Sequence, residues 1–359
     1  MVCVARGAWY ERYTVIVRLA ARGCVFALVA LAACSSNGSE PEPPLPRAWL
    51  DSPSMDLPET MSELGLYVEL AGQVRVHEAV AAYRPSYELW SNGTTKDRFL
   101  FLPRGTSIDT SQRDAWVFPS GTILLKTFSA PRVTESGVTE AQPIETRLLH
   151  LLEDDWQYAV YLWDEAGNDA TLAELDASHP VAVEIDGERF EHVVPAKLDC
   201  RKCHESQPSP VIGVDELRLA GSYEASGPSQ LAWLHERGIL SDLPAEPKRI
   251  VHDDLRTQRV LEYLAGNCTH CHNGGRGASS AFDLRHDVAL ENLVNRETEG
   301  ESIAGIRVVP GDPESSALYL ALSRLEGDDD VQAMPPIGVQ RADASALELF
   351  RRWIEELKE

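Results

Sequence analysis

Two five-residue runs in this chain of 359 residues share one pattern: Cys200-Arg201-Lys202-Cys203-His204 and Cys268-Thr269-His270-Cys271-His272. A Cys-x-x-Cys pair alone reads as a redox dithiol, half of a zinc site or an anchor for haem. The histidine directly after each pair narrows the choice, because Cys-x-x-Cys-His is the spacing that attaches c-type haem. Cys200 and Cys203, then Cys268 and Cys271, are the expected thioether anchors, with His204 and His272 as proximal iron ligands. The expected cofactors are therefore two covalently bound haem c groups. His270, between the cysteines of the second pair, reads as a non-ligand. Two Cys-x-x-Cys pairs could alternatively share one zinc ion.

The opposite face of each iron needs a second group. Met334, in the run Asp-Val-Gln-Ala-Met-Pro-Pro-Ile-Gly, is the candidate for the haem held by His272, because a soft thioether stabilises ferrous iron and raises the potential. The competing reading is a core methionine. For the haem of His204 the choice stays open among His192, His235, His252, Met61 and water. A filled position means electron transfer, whereas an open one binds peroxide or another small molecule.

The elements that must position these groups fall into blocks. Residues 62–195 read as β-rich. Arg98–Pro103, Thr122–Phe128, Ile144–Leu152 and Trp156–Trp163 are short, rich in β-branched or aromatic residues and bounded by turn signals. Asn92-Gly93 and Asp186-Gly187 are hairpin-turn dipeptides. A β-sandwich-like domain is expected here, with no catalytic group in it: His77, His150, His179 and His192 stand singly. Residues 196–250 form a first haem-binding segment, with a short helix between Pro228 and Gly238. Residues 251–359 read as a mainly α haem domain. Val260, Tyr263, Leu264 and Cys268 share one helical face, and Leu347, Phe350, Ile354 and Leu357 share another. The whole is an α+β multidomain chain.

The formal net charge of -23 argues against nucleic acid as a partner, since phosphate binding needs clusters of Lys and Arg. An acidic surface steers basic partners instead. Near the start, Arg18 and Arg22 precede a short apolar core from Cys24 to Ala33, too short to span a bilayer of ~30 Å. Residues 1–14 are unlike a signal, which points to a start near Val15 or Val17. Residues 34–61, rich in Ser, Gly and Pro at their start, read as a tether.

Several of these runs carry resemblances. Leu31-Ala32-Ala33-Cys34 resembles the lipobox of bacterial lipoproteins, which implies a signal peptide over 1–33, lipid on Cys34 and a periplasmic, membrane-anchored protein. Ser35 and Ser36, in place of the aspartate that retains such proteins at the inner membrane, favour the outer one. The order helix, Cys-x-x-Cys-His, Met loop and terminal helix over 251–359 resembles class I cytochrome c. Together, the runs SNGTTKDRFLFLPRGT, WVFPSGTILLKTF, WQYAVYLWDEAGNDATL, VVPAKLDCRKCH, NCTHCHNGG and VVPGDPESSALYLAL are similar to a family of exported bacterial dihaem c-type cytochromes, over residues 62–359. That resemblance implies an electron carrier whose redox partner is a periplasmic donor dehydrogenase or an acceptor cytochrome. The alternative is a dihaem peroxidase-like enzyme with an open position on the first haem. A third possibility makes the β-rich block a docking or carbohydrate-binding module using Trp90, Trp116 or Trp163.

Overall fold

The computed structural model describes residues 49–359 apart from 71–72, 134–136, 138, 175, 208, 224–226, 276–281, 300–304, 325–330 and 359. The signal, Cys34 and most of the tether lie outside the described residues. Among those described, no helix is long and apolar enough to cross a membrane.

The chain is a mixed α/β structure built on one large antiparallel sheet. A short helix α1 (Met61–Leu64) and a ribbon of β1 (Tyr67–Leu70) and β2 (Gln73–Val76) come first. A six-stranded meander follows: β3 (Val80–Ala82), β4 (Thr95–Phe101), β5 (Ile123–Val133), β6 (Thr139–Leu152), β7 (Asp155–Trp163) and β8 (Ala170–Leu172), paired in chain order. The hairpin of β9 (His179–Ile185) and β10 (Glu188–Val194) turns at Asp186 and Gly187, both at positive φ. That is the backbone a tight two-residue turn demands.

Strand side chains alternate between faces, and here both faces are buried. Phe99, Phe101, Ile123, Leu125 and Leu148 meet Leu50, Met61, Leu64 and Leu66 from the first described residues. Leu100, Leu124 and Tyr158, on the other face, meet Val211, Val214, Leu219, Leu231, Leu234 and Leu240. The covering layer there is not a second broad sheet, as a sandwich would have. It is the segment after β10, with α2 (Lys197–His204), α3 (Glu216–Leu219) and α4 (Gln230–Glu236). The strands were legible, but what lay across from them was not, since an apolar face has the same pattern under a sheet or under helices.

The remainder holds α5 (Leu255–Asn267), α6 (Ala289–Leu293), α7 (Ala317–Ser323) and α8 (Ala344–Glu356). Asp254 and Asp343 accept hydrogen bonds from backbone N–H groups in the first turns of α5 and α8, as N-cap carboxylates do. α8 packs on α5 through Phe350, Trp353 and Ile354 against Val260, Leu261 and Leu264. The Trp353 indole N–H donates to Thr257 Oγ1 at 3.2 Å.

The segment between β3 and β4 ties this region to the sheet. Asn92 Oδ1 accepts from the backbone N–H groups of Gln340 (2.7 Å) and Arg341 (3.0 Å). The Trp90 backbone N–H donates to Asn267 Oδ1 at 2.7 Å. Gly266 permits the approach: a Cβ there would sit 2.9 Å from the Glu88 carbonyl oxygen and 3.0 Å from that of Tyr87.

Candidate functional site

The first motif lies on α2. Spacings of three and four residues put Cys200, Cys203 and His204 on one side of a helix. Cys200 packs against the sheet-face core, and the His204 ring stands 5.5 Å from that of Tyr158 on β7. His204 Nδ1 lies 2.6 Å from the Pro210 carbonyl oxygen. A carbonyl only accepts, so Nδ1 carries the hydrogen and Nε2 is the free lone pair. This is the arrangement that orients a metal-ligating imidazole. Burial pulls the His204 pKa down to about 4, against the opposing Pro210 hydrogen bond. The ring is therefore neutral at pH 7, the form a metal binds.

The second motif begins at the end of α5, where Cys268 closes the helix, and continues as a tight turn. The N–H groups of Cys271 and His272 both donate to the Cys268 carbonyl oxygen, at 3.1 and 2.9 Å. The His272 ring stands 4.5 Å from Phe282. Burial lowers the His272 pKa to about 4, and its Nδ1 is buried with no hydrogen-bond partner among the described residues.

The two motifs meet. Ser206 Oγ donates to the His270 carbonyl oxygen, and Asn273 Nδ2 donates to the Ser206 carbonyl oxygen at 3.0 Å. All four cysteines are free thiols. The neighbouring Cys271 thiol and burial push the Cys203 pKa up, whereas Cys203 draws the Cys271 pKa down against the opposing effect of burial. Burial alone lifts Cys268 to about 12. His270, expected to be a bystander, lies with Cys203 and Cys271 in a group whose ligand atoms are all within 4.8 Å of one another. Its Nδ1 too is buried and without a partner.

A cavity of about 580 Å³ runs beside this junction, within the size range of sites for organic ligands. Its wall includes Cys200, Cys203, His204, Cys271, His272 and Met334, so residues from both motifs and the Met loop are brought to one space. The sheet supplies another wall through Leu124, Lys126, Arg147, Leu149 and Tyr158. Met334 is anchored by its backbone N–H to the Ala321 carbonyl oxygen at 2.9 Å. Cys268 does not line the cavity.

The residues left open for the first haem's far side are elsewhere. Met61 is buried in the core on the opposite sheet face. His192 Nε2 lies 2.8 Å from the buried Glu145 carboxylate. His235 Nδ1 is turned to the Leu240 carbonyl oxygen, and His252 caps a turn at Asp254. None of the four lines the cavity. Lys126 and Arg147, which sequence reasoning passed over as strand residues, do. The available signal was a pair of cations inside otherwise apolar strands. Trp116 is buried in the sheet-face core, and Trp163 donates its indole N–H to Thr146 Oγ1 at 3.0 Å.

The donor set suits haem c in two respects: free thiols at the required spacing and, at His204, a neutral imidazole with its Nδ1 anchored. The Cys203, His270 and Cys271 cluster also matches three ligands of a tetrahedral S/N metal site. Comparison of the chain with family models, curated proteins and solved structures found no match.

Proposed function

We propose that this protein is a dihaem c-type cytochrome, an electron carrier rather than an enzyme, held on the periplasmic side of a bacterial membrane by lipid on Cys34. The observation that carries the reading is the convergence of two Cys-x-x-Cys-His runs on one cavity, with His204 already oriented by Pro210. Cys200 and Cys203 would anchor one macrocycle, with His204 as its iron ligand. Cys268 and Cys271 would anchor the other, with His272 and Met334 as its ligands.

Bound there, haem supplies a one-electron couple whose potential depends on axial ligands, burial and nearby charge. The chain's part is to fix geometry and exclude water. α2 is packed on the sheet, and the second motif is fastened to the first through Ser206 and Asn273. Two sites this close suit rapid passage of an electron within the chain. The acidic surface suits transient docking with a basic redox partner, a donor dehydrogenase or an acceptor cytochrome.

The cluster of Cys203, His270 and Cys271 supports a second reading, a single S/N metal centre. The two exclude one another, since a thioether sulfur no longer offers a thiolate. Intact mass and the visible spectrum of the exported, matured protein separate them. A mass increase of two haems with a reducible c-type spectrum is expected. A colourless protein carrying one equivalent of zinc would overturn the proposal.

A further inference from the structure

Cations stand in a row across the middle of the sheet. Arg98 on β4 pairs directly with Lys126 on β5, and Lys126 pairs directly with Arg147 on β6. Like charges placed opposite one another destabilise a sheet. Lys96 adds a fourth cation on the same face, with its ammonium near the Phe128 ring that Lys126 and Arg147 also approach. Against these four stand Glu145, on the same face, and Glu88, which acts on Lys96 and Arg98. Arg147 and His192 already share the Glu145 carboxylate, at 2.6–2.9 Å and 2.8 Å.

Lys126 makes no hydrogen bond or ion pair among the described residues, and its side chain forms part of the cavity wall. The second large cavity, of about 490 Å³, is different. There Arg113 pairs with Glu216, Arg218 with Asp215 and Lys248 with Asp114. Lys126, beside the first motif, has no such partner among the described residues, and burial together with Arg98, Arg147 and Lys96 pulls its pKa well down. Uncompensated charge away from water is costly unless an anion meets it.

The geometry points to Lys126 and Arg147, backed by Arg98, as the site that takes the carboxylate edge of the macrocycle anchored at Cys200 and Cys203, a role that holds only if the haem reading does. Much of the remaining wall is apolar, through Leu124, Leu149, Val211 and Val339, and the two further charges on it, Lys202 and Asp199, pair with one another. An occupant with a flat apolar body and an anionic edge matches both surfaces. Lys126 offers a point charge, and Arg147, whose Nε and Nη2 already meet Glu145, keeps Nη1 for a further acceptor. The β-rich block then serves as one wall of a haem site. Its positive charge favours the ferrous form, which raises that haem's potential.

The test compares the matured full-length protein with Lys126→Met and Lys126→Arg, by intact mass, redox titration and spin-resonance spectra. Lys126→Met is expected to keep both macrocycles and both spin states. The midpoint potential of one haem should fall while the other stays in place, and Lys126→Arg should restore it. Unchanged potentials in Lys126→Met would overturn the assignment. So would conversion of one haem to high spin, because that makes Lys126 an iron ligand instead. If Lys126→Met does not accumulate, Lys126→Gln carries the same comparison. Wild-type protein without two added macrocycles would defeat the haem reading itself, a result visible before any variant is compared.

Discussion

At the scale of single residues, the site depends on which atoms are already engaged. The Pro210 carbonyl occupies His204 Nδ1 and so leaves the lone pair on Nε2. Met334 has no such marker, and it reaches the cavity because its backbone is tied to α7 through Ala321. If its thioether is an axial ligand, Met334→Leu preserves volume while removing the sulfur. On the proposed haem reading both macrocycles should remain attached, since neither anchor is touched. One haem should lose its near-infrared sulfur–iron band, and its potential should fall by on the order of 0.1 V, well inside the ~0.8 V that axial ligands span. A titration with both potentials unmoved would return Met334 to the status of a packing residue.

At the scale of elements, the second motif is delivered by α5, and α5 is held chiefly by α8. Phe350 is fully buried, edge-on to Tyr263 at 5.5 Å and to Trp353 at 6.2 Å. Truncation to alanine there removes a large ring from a packed contact, so Phe350→Ala should cost about 3–5 kcal/mol in denaturant unfolding. Leu347 lies at the same interface but is only partly buried, and Leu347→Ala should cost less. Both helices were legible beforehand because each carries an apolar stripe of period 3.6. The four long strands were legible for a similar reason, as β-branched and aromatic runs between turns. Asn92-Gly93 misled in part. It turns the chain at positive φ, but between short connecting residues rather than between two hairpin strands, and Asn92 binds the loop after Met334. Contacts such as Asn92 with Gln340 join residues far apart in sequence, and no local pattern encodes them. The proximity of His270 to Cys203 was hidden for the same reason.

At the scale of the whole molecule, the sheet is one wall of the site, so global stability and site electrostatics share residues. Glu145 is the clearest case. Burial alone would raise its pKa, but Arg147 and His192 outweigh that and bring it down to about 2. An unfolded glutamate titrates near ~4.3. A carboxyl depressed in the folded state contributes stability that is fully present above the unfolded value and is lost as pH falls through the folded one. Glu145→Gln leaves Arg147 without its buried counter-charge and His192 without its carboxylate partner, and at pH 7 should cost about 3–5 kcal/mol. As pH drops from about 5 toward 2, the wild-type carboxyl also loses its charge. The gap in unfolding free energy between wild type and variant should therefore narrow across that window. Denaturant titrations at a series of pH values read this directly. A gap that persists unchanged to pH 2 would mean that the carboxylate's charge is not what holds this side of the sheet together.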